Sequence, residues 1–165
     1  EIEAFQISPA HLSVNNDGTL NAKVVENGKV QFKKVSIIKS DDEWKEELPQ
    51  MAYYVLRKAG TERAFSGPLN FIKDKGTYVC AGCKAPLYES KYKFDSGTGW
   101  PSFDRGIEEN LEYDIDYKIG YPRSELKCSN CGGHLGHMFN DGPRNTTGKR
   151  HCINSAALNF IPADE

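Results

Sequence analysis

The chain has 165 residues, 38% hydrophobic and 27% charged, the balance of a globular protein long enough for a single core. A formal net charge of −2 gives no electrostatic footprint for nucleic acid or an anionic membrane, and no apolar run approaches the ~18 residues that span a bilayer. Five cysteines are an odd number, so a simple disulfide framework would leave one thiol unpaired.

To about Ile38 the sequence reads as β structure. Asp17-Gly18 and Asn27-Gly28 are hairpin turn signals, and the second predicts a hairpin joining Lys23-Val24-Val25 to Lys29-Val30-Gln31-Phe32. A helix follows. Ser40-Asp41-Asp42-Glu43 forms a capping box, and Trp44 and Leu48, four apart, share a buried face. Pro49 interrupts this helix and suits the first position of a second. There Met51, Tyr54 and Val55 keep helical spacing, and Gly60 is the expected stop. From about Asn70 the pattern is strands and turns. Tyr113, Ile115, Tyr117 and Ile119 alternate with Glu112, Asp114, Asp116 and Lys118, which predicts a half-buried strand with a solvated charged face. The last strand is expected to run from His151 to Ile161, with Cys152, Asn154, Ala156, Leu158 and Phe160 on one face.

Four cysteines form two CxxC units, Cys80-Ala81-Gly82-Cys83 and Cys128-Ser129-Asn130-Cys131. Each can act as a knuckle, a tight turn that points two thiolates at one metal, and four sulfurs in a tetrahedron suit zinc. A rival local site of Cys128, Cys131, His134 and His137 would orphan Cys80 and Cys83. A thioredoxin-like redox role expects a βαβ setting, which the pattern lacks. A closed four-sulfur site keeps no open position, so the metal is expected to be structural.

Cys152 stands outside both knuckles. Alone, it reads as a small buried apolar residue. Arg150 and His151 precede it, however, and cationic neighbours favour the reactive thiolate. Asn154, on the same expected face, can donate a hydrogen bond to that sulfur or to a bound oxygen. The run from Gly133 to Pro143 ties His134 and His137 by glycines to the second knuckle, where they can serve as proton donors or as structural histidines. Trp100, between Gly99 and Pro101, is expected on a loop, as an apolar wall or as core packing.

These pieces together resemble the methionine sulfoxide reductases of the B type, which reduce the R epimer of methionine sulfoxide. The matching stretches are Gly60–Gly67, Gly76–Cys83, Lys93–Phe103, Cys128–Pro143 and Arg150–Ala156, so the resemblance runs from about Ser40 to the C-terminus. It implies a mainly β fold of two antiparallel sheets joined by a four-cysteine zinc site, with short helices on the N-terminal side. Residues 39–165 would be the reductase domain and 1–38 a β-rich extension without assigned role. It implies Cys152 as nucleophile, Trp100 as the wall for the substrate methyl group, and His134 and His137 around the sulfoxide oxygen. Arg150, Asp141 and Asn154 match positions that support that site, and Phe139 one that lines it.

The chemistry so implied is attack of Cys152 on the sulfoxide sulfur, with His137 the preferred acid, leaving a sulfenic acid. Where many family members carry a resolving cysteine, this chain has Thr98. The sulfenic acid is therefore expected to be reduced by an external thiol, from thioredoxin or a small molecule. The segment Arg144–Lys149 is more polar than the usual form, and its Asn145-Thr146-Thr147 sequon reads as chance. Two other readings compete: a zinc-ribbon binding module without catalysis, and a zinc-clipped enzyme acting on thiol adducts such as those of glutathione. The expected protein is a monomer with no nucleic-acid or membrane partner. Metal-bound thiolates beside a free cysteine favour the cytoplasm. The first residue, Glu1, points to processing or trimming, which leaves room for a removed organellar or export signal.

Overall fold

A computed structural model describes residues 39–163 and the backbone of three earlier strands. Those strands, β1 (Leu12–Val14), β2 (Leu20–Glu26) and β3 (Lys29–Val35), pair antiparallel in that order. Glu26 faces Lys29, the register of a hairpin closed by two residues. The turn residues themselves, Asn27-Gly28 and Asp17-Gly18, lie outside the described residues.

Helix α1 (Asp41–Glu47) begins at the expected capping box: the Glu43 amide donates to Ser40 Oγ at 3.2 Å, and the Ser40 amide donates to Glu43 Oε1 at 2.9 Å. Trp44 and Leu48 are buried as the spacing predicts. Helix α2 (Gln50–Lys58) has Pro49 as its N-cap. Its buried residues are Ala52, Val55 and Leu56, whereas Met51 and Tyr54 face solvent. It ends at Ala59, not Gly60: Ala59 takes the left-handed conformation at φ 56°, and the next amide, Gly60, bonds back to the Tyr54 carbonyl.

The rest is mainly β, in two antiparallel sheets. The smaller holds β4 (Gly76–Cys80), β5 (Pro86–Glu89) and β12 (Leu158–Pro162) in the order β12-β4-β5. The larger comprises β6 (Lys93–Phe94), β7 (Ser102–Phe103), β8 (Leu111–Asp116), β9 (Arg123–Cys128), β10 (His134–Phe139) and β11 (Arg150–Ile153), in the order β6-β7-β11-β10-β9-β8. Aromatic packing joins the sheets. Phe103 of β7 stacks on Tyr88 of β5 at 4.4 Å between centroids and meets the edge of Tyr78 of β4 at 5.1 Å. All three are fully buried, each removing a large apolar area from water.

Two strand expectations need correction. The run His151 to Ile161 is not one strand: β11 ends at Ile153, a 3-10 turn spans Ser155–Ala157, and β12 belongs to the other sheet. Period-two apolarity continues through the break because both segments bury alternate residues, and the Asn154-Ser155 pair, a turn-forming combination, marks where it occurs. The second concerns β8. It is an edge strand, and Tyr113 and Ile115 remain exposed along with Tyr117 and Ile119 beyond it, because the β8–β9 hairpin overhangs the core. Among the described residues no helix is long and apolar enough to cross a membrane.

Candidate active site and metal centre

The two CxxC units converge. The Sγ atoms of Cys80, Cys83, Cys128 and Cys131 all lie within 4.8 Å of one another and are buried. Cys80 and Cys131 are 3.7 Å apart, and Cys83 and Cys128 3.5 Å. A disulfide bond measures about 2.05 Å, so these are not paired sulfurs. A tetrahedron with metal–sulfur arms of about 2.3 Å has edges of about 3.8 Å, and the cluster fits it. Each knuckle closes in the same way. The residue after its second cysteine has positive φ, Lys84 at 67° and Gly132 at 76°, and donates its amide to the first cysteine's carbonyl at 2.9 and 2.8 Å. Glycine relieves that strain at position 132. The Arg57 guanidinium of α2 donates to the Cys131 carbonyl at 2.9 Å and lies over the Trp44 ring. The rival set with His134 and His137 does not form: both imidazoles bond carboxylates.

Cys152 opens into a pocket of about 180 Å³ lined by Thr61, Thr98, Trp100, Arg123, Gly136, His137, Phe139, Arg150 and Asn154. Register explains much of this convergence. His137 on β10 lies directly opposite Cys152 on β11, which in turn lies opposite Ser102 on β7. Histidines three apart on a regular strand would face opposite ways. Here a bulge at Leu135 inserts one extra residue against β9, so His134 and His137 share a face, with ring centroids 5.3 Å apart. The same face carries Arg123 and Glu125 of β9 and Asp114 and Asp116 of β8.

Of the residues expected at the site, Trp100, His137, Phe139, Arg150, Cys152 and Asn154 line one pocket. Trp100 sits on a loop, its indole N–H donating to the Glu62 carbonyl at 3.0 Å. Arg150 stacks over the Phe139 ring and is gripped by Asp141 through two bonds of 2.9 and 3.2 Å. Asp141 and His134 stand behind this wall, not on it. His134 Nδ1 bonds Glu125 at 2.6 Å, Nε2 has no partner, and burial pushes its pKa down. Asn154 also holds structure: Oδ1 accepts the Glu62 amide and Nδ2 donates to the Leu135 carbonyl, both at 2.9 Å, which leaves the second Nδ2 hydrogen outside these bonds.

The electrostatics also correct an expectation. Burial pushes the Cys152 thiol above its ordinary range, while the Arg150 charge and a hydrogen bond with Thr98 pull it back in part. His151 does not help. It lies on the opposite face of β11, buried, with Nδ1 bonded to Tyr88 Oη at 2.9 Å and its pKa lowered by burial.

A family model described as the SelR domain matches residues 48–162. The "Peptide methionine sulfoxide reductase MsrB" of Leptospira interrogans is 54% identical over 123 residues, 74% of this chain and 93% of that protein. The protein of the same name from Methanosarcina barkeri is 50% identical over 133 residues, covering 79% and 92%. "Methionine-R-sulfoxide reductase B3, mitochondrial" of Mus musculus is 48% identical over 133 residues, covering 80% and 52%.

This chain belongs to the methionine-R-sulfoxide reductase B family. Its members are oxidoreductases, and four lining or supporting groups of this member escape a reading of the sequence. Asp116 belongs to the expected solvated strand face, yet its Oδ2 accepts from His137 Nε2 at 2.7 Å and from Arg123 at 3.0 Å, and the His137 bond lowers its pKa to about 2. Arg123 has no motif around it. Thr61 and Glu62 lie in the matching stretch Gly60–Gly67, which carried no role. Pairing β8 with β9 by their alternation would have placed Asp116 near Arg123, because both charged faces must lie on one side.

Proposed function

We propose that this chain reduces the R epimer of methionine sulfoxide, in proteins or free, to methionine at the expense of an external thiol. Residues 39–165 form the reductase domain and 1–38 an extension. The observation that carries the reading is a single small pocket holding the Cys152 sulfur with the Trp100 ring, His137 and the Arg150 guanidinium. The aromatic rings of Trp100 and Phe139 offer the methyl thioether favourable sulfur–aromatic contact. With Nε2 engaged by Asp116, His137 acts through Nδ1, which in the imidazolium form donates to the sulfoxide oxygen and makes its sulfur electrophilic.

The Cys152 sulfur attacks that sulfur and takes over its oxygen. His137 gives the oxygen a proton and takes up the one the thiol loses, so in sum Cys–SH and the sulfoxide become Cys–SOH and the thioether. One external thiol then condenses with the sulfenic acid, releasing water, and a second frees Cys152 and leaves as the reductant's disulfide. Thioredoxin or a small dithiol supplies both electrons. Thr98 lines the pocket where a resolving cysteine would stand, and the other four thiols are gathered in the metal cluster. Cys80, Cys83, Cys128 and Cys131 would hold a structural zinc ion that fixes the fold and takes no substrate.

The test is turnover of separate R and S epimers with dithiothreitol as reductant. Thioether should form from the R epimer alone. Cys152→Ser should abolish it with the metal and fold retained. No turnover of either epimer by a folded, metal-loaded protein would sink the reading and favour a zinc-ribbon binding module without catalysis.

A further inference from the structure

The stretch Gly60–Gly67 contributes only the Thr61 side to the pocket, yet it contains the most buried carboxylate described, Glu62, 3% exposed. A carboxylate buried this far must find donors. Glu62 Oε2 accepts the Ser155 amide and Oε1 the Ala156 amide, each at 2.8 Å. Those are orphan donors at the start of the 3-10 turn Ser155–Ala157, where negative charge is favoured. Burial raises the Glu62 pKa and the two amides oppose that rise.

The backbone of the same residue reaches the pocket. Its N–H donates to Asn154 Oδ1 at 2.9 Å, and its carbonyl accepts the Trp100 indole N–H at 3.0 Å. The surrounding loop is fastened to the same turn. Ser155 Oγ accepts the Leu69 amide at 2.9 Å. A β-carbon added at Gly67 would lie 2.2 Å from Ser155 Cβ and 2.6 Å from Glu62 Oε2, so only glycine lets the loop close over the carboxylate.

We infer that Glu62 is a positioning residue for the proposed reduction: its carboxylate clamps the chain just beyond Cys152, and its backbone holds the Trp100 ring that lines the same pocket. The inference rests on the reductase reading for its catalytic consequence. Its geometric consequence is independent of that reading. Movement of about 1 Å between a bound group and its nucleophile costs up to about 100-fold in rate.

The experiment uses protein labelled with fluorotryptophan. The two tryptophans, Trp44 and Trp100, give two fluorine resonances, assigned through Trp44→Phe. In Glu62→Gln the amide places a donor against backbone donors. The Trp100 resonance should then shift or broaden while Trp44 stays in place. Single-turnover formation of the Cys152 sulfenic acid should slow by about 10- to 100-fold per folded molecule. An unmoved Trp100 resonance, or parental single-turnover rates, would overturn the inference. Should Glu62→Gln not fold, Glu62→Asp, which keeps the charge but withdraws it by one methylene, is read by the same two criteria. A parent protein inactive on both epimers would sink the reductase reading alone, and the Trp100 resonance would still decide the positioning role.

Discussion

Two opposing effects meet at the Cys152 sulfur. Burial disfavours the thiolate, while Arg150 favours it through charge and Thr98 through a hydrogen bond. The Arg150 charge does not act freely, since Asp141 grips the guanidinium and itself raises the thiol pKa. Across the strand pair His137 faces Cys152, and its partner Asp116 is in turn paired with Arg123. Burial outweighs the two opposing effects, so the resting sulfur is expected to be a protonated thiol at neutral pH, and in the proposed reduction its proton would replace the one that His137 gives to the sulfoxide oxygen. Alkylation of Cys152 by iodoacetamide should therefore rise with pH through a midpoint above the usual thiol range. Arg150→Met should move that midpoint higher and slow alkylation at neutral pH severalfold, because only the thiolate reacts. Peptide mass mapping at each pH separates Cys152 from the clustered cysteines. A thiolate already dominant at neutral pH would contradict the balance drawn here.

The β8–β9 hairpin and the bulge in β10 do for His137 what no side chain could do alone. The bulge at Leu135 brings both histidines onto the face that carries Cys152, and the hairpin lays Asp116 against His137 Nε2. Asp116→Asn should keep the fold, since its strand is exposed at the sheet edge. It should lower the rate of sulfenic acid formation by about tenfold or more, part of the roughly 100- to 10,000-fold that a general acid supplies. Alkylation of Cys152 should stay near parental, which separates loss of the acid from loss of the nucleophile. Unchanged single-turnover kinetics would mean that Asp116 serves only Arg123. The capping box, the Trp44–Leu48 face and the two knuckles were legible in the sequence because each depends on residues within a few positions of one another. The bulge was not: nothing local distinguishes His134-Leu135-Gly136-His137 from a regular strand, and the extra residue is defined only against β9. For the same reason Asp116 read as solvent-facing, since alternation gives the two faces of a strand but not which face a partner strand will use.

The four-cysteine cluster joins segments that the two sheets would otherwise hold apart. Cys80 ends β4 and Cys83 precedes β5 in the small sheet, whereas Cys128 ends β9 and Cys131 leads through two glycines into β10 of the large one. Helices α1 and α2 pack against it, with Trp44 against Gly82, Leu56 against Gly133 and Arg57 on the Cys131 carbonyl. The pairing of distant knuckles was readable from spacing. The part it plays for the pocket was not, because that depends on which strands leave the cluster: β9 carries Arg123 and Glu125, and β10 carries both histidines. A metal there would anchor the base of the hairpin that carries the proposed acid, His137, away from the pocket. Structural zinc binds small peptides with about 10–16 kcal/mol, as large as the roughly 5–15 kcal/mol that holds a whole domain folded. Removing the metal with a strong chelator should therefore unfold residues 39–163 as a unit. Near-UV circular dichroism, metal release and turnover should be lost together, and zinc should restore all three under reducing conditions. Turnover lost while the dichroism persists would place the metal in the chemistry. A metal-free protein that keeps both would show that the aromatic contacts of Tyr78, Tyr88 and Phe103 suffice to join the sheets.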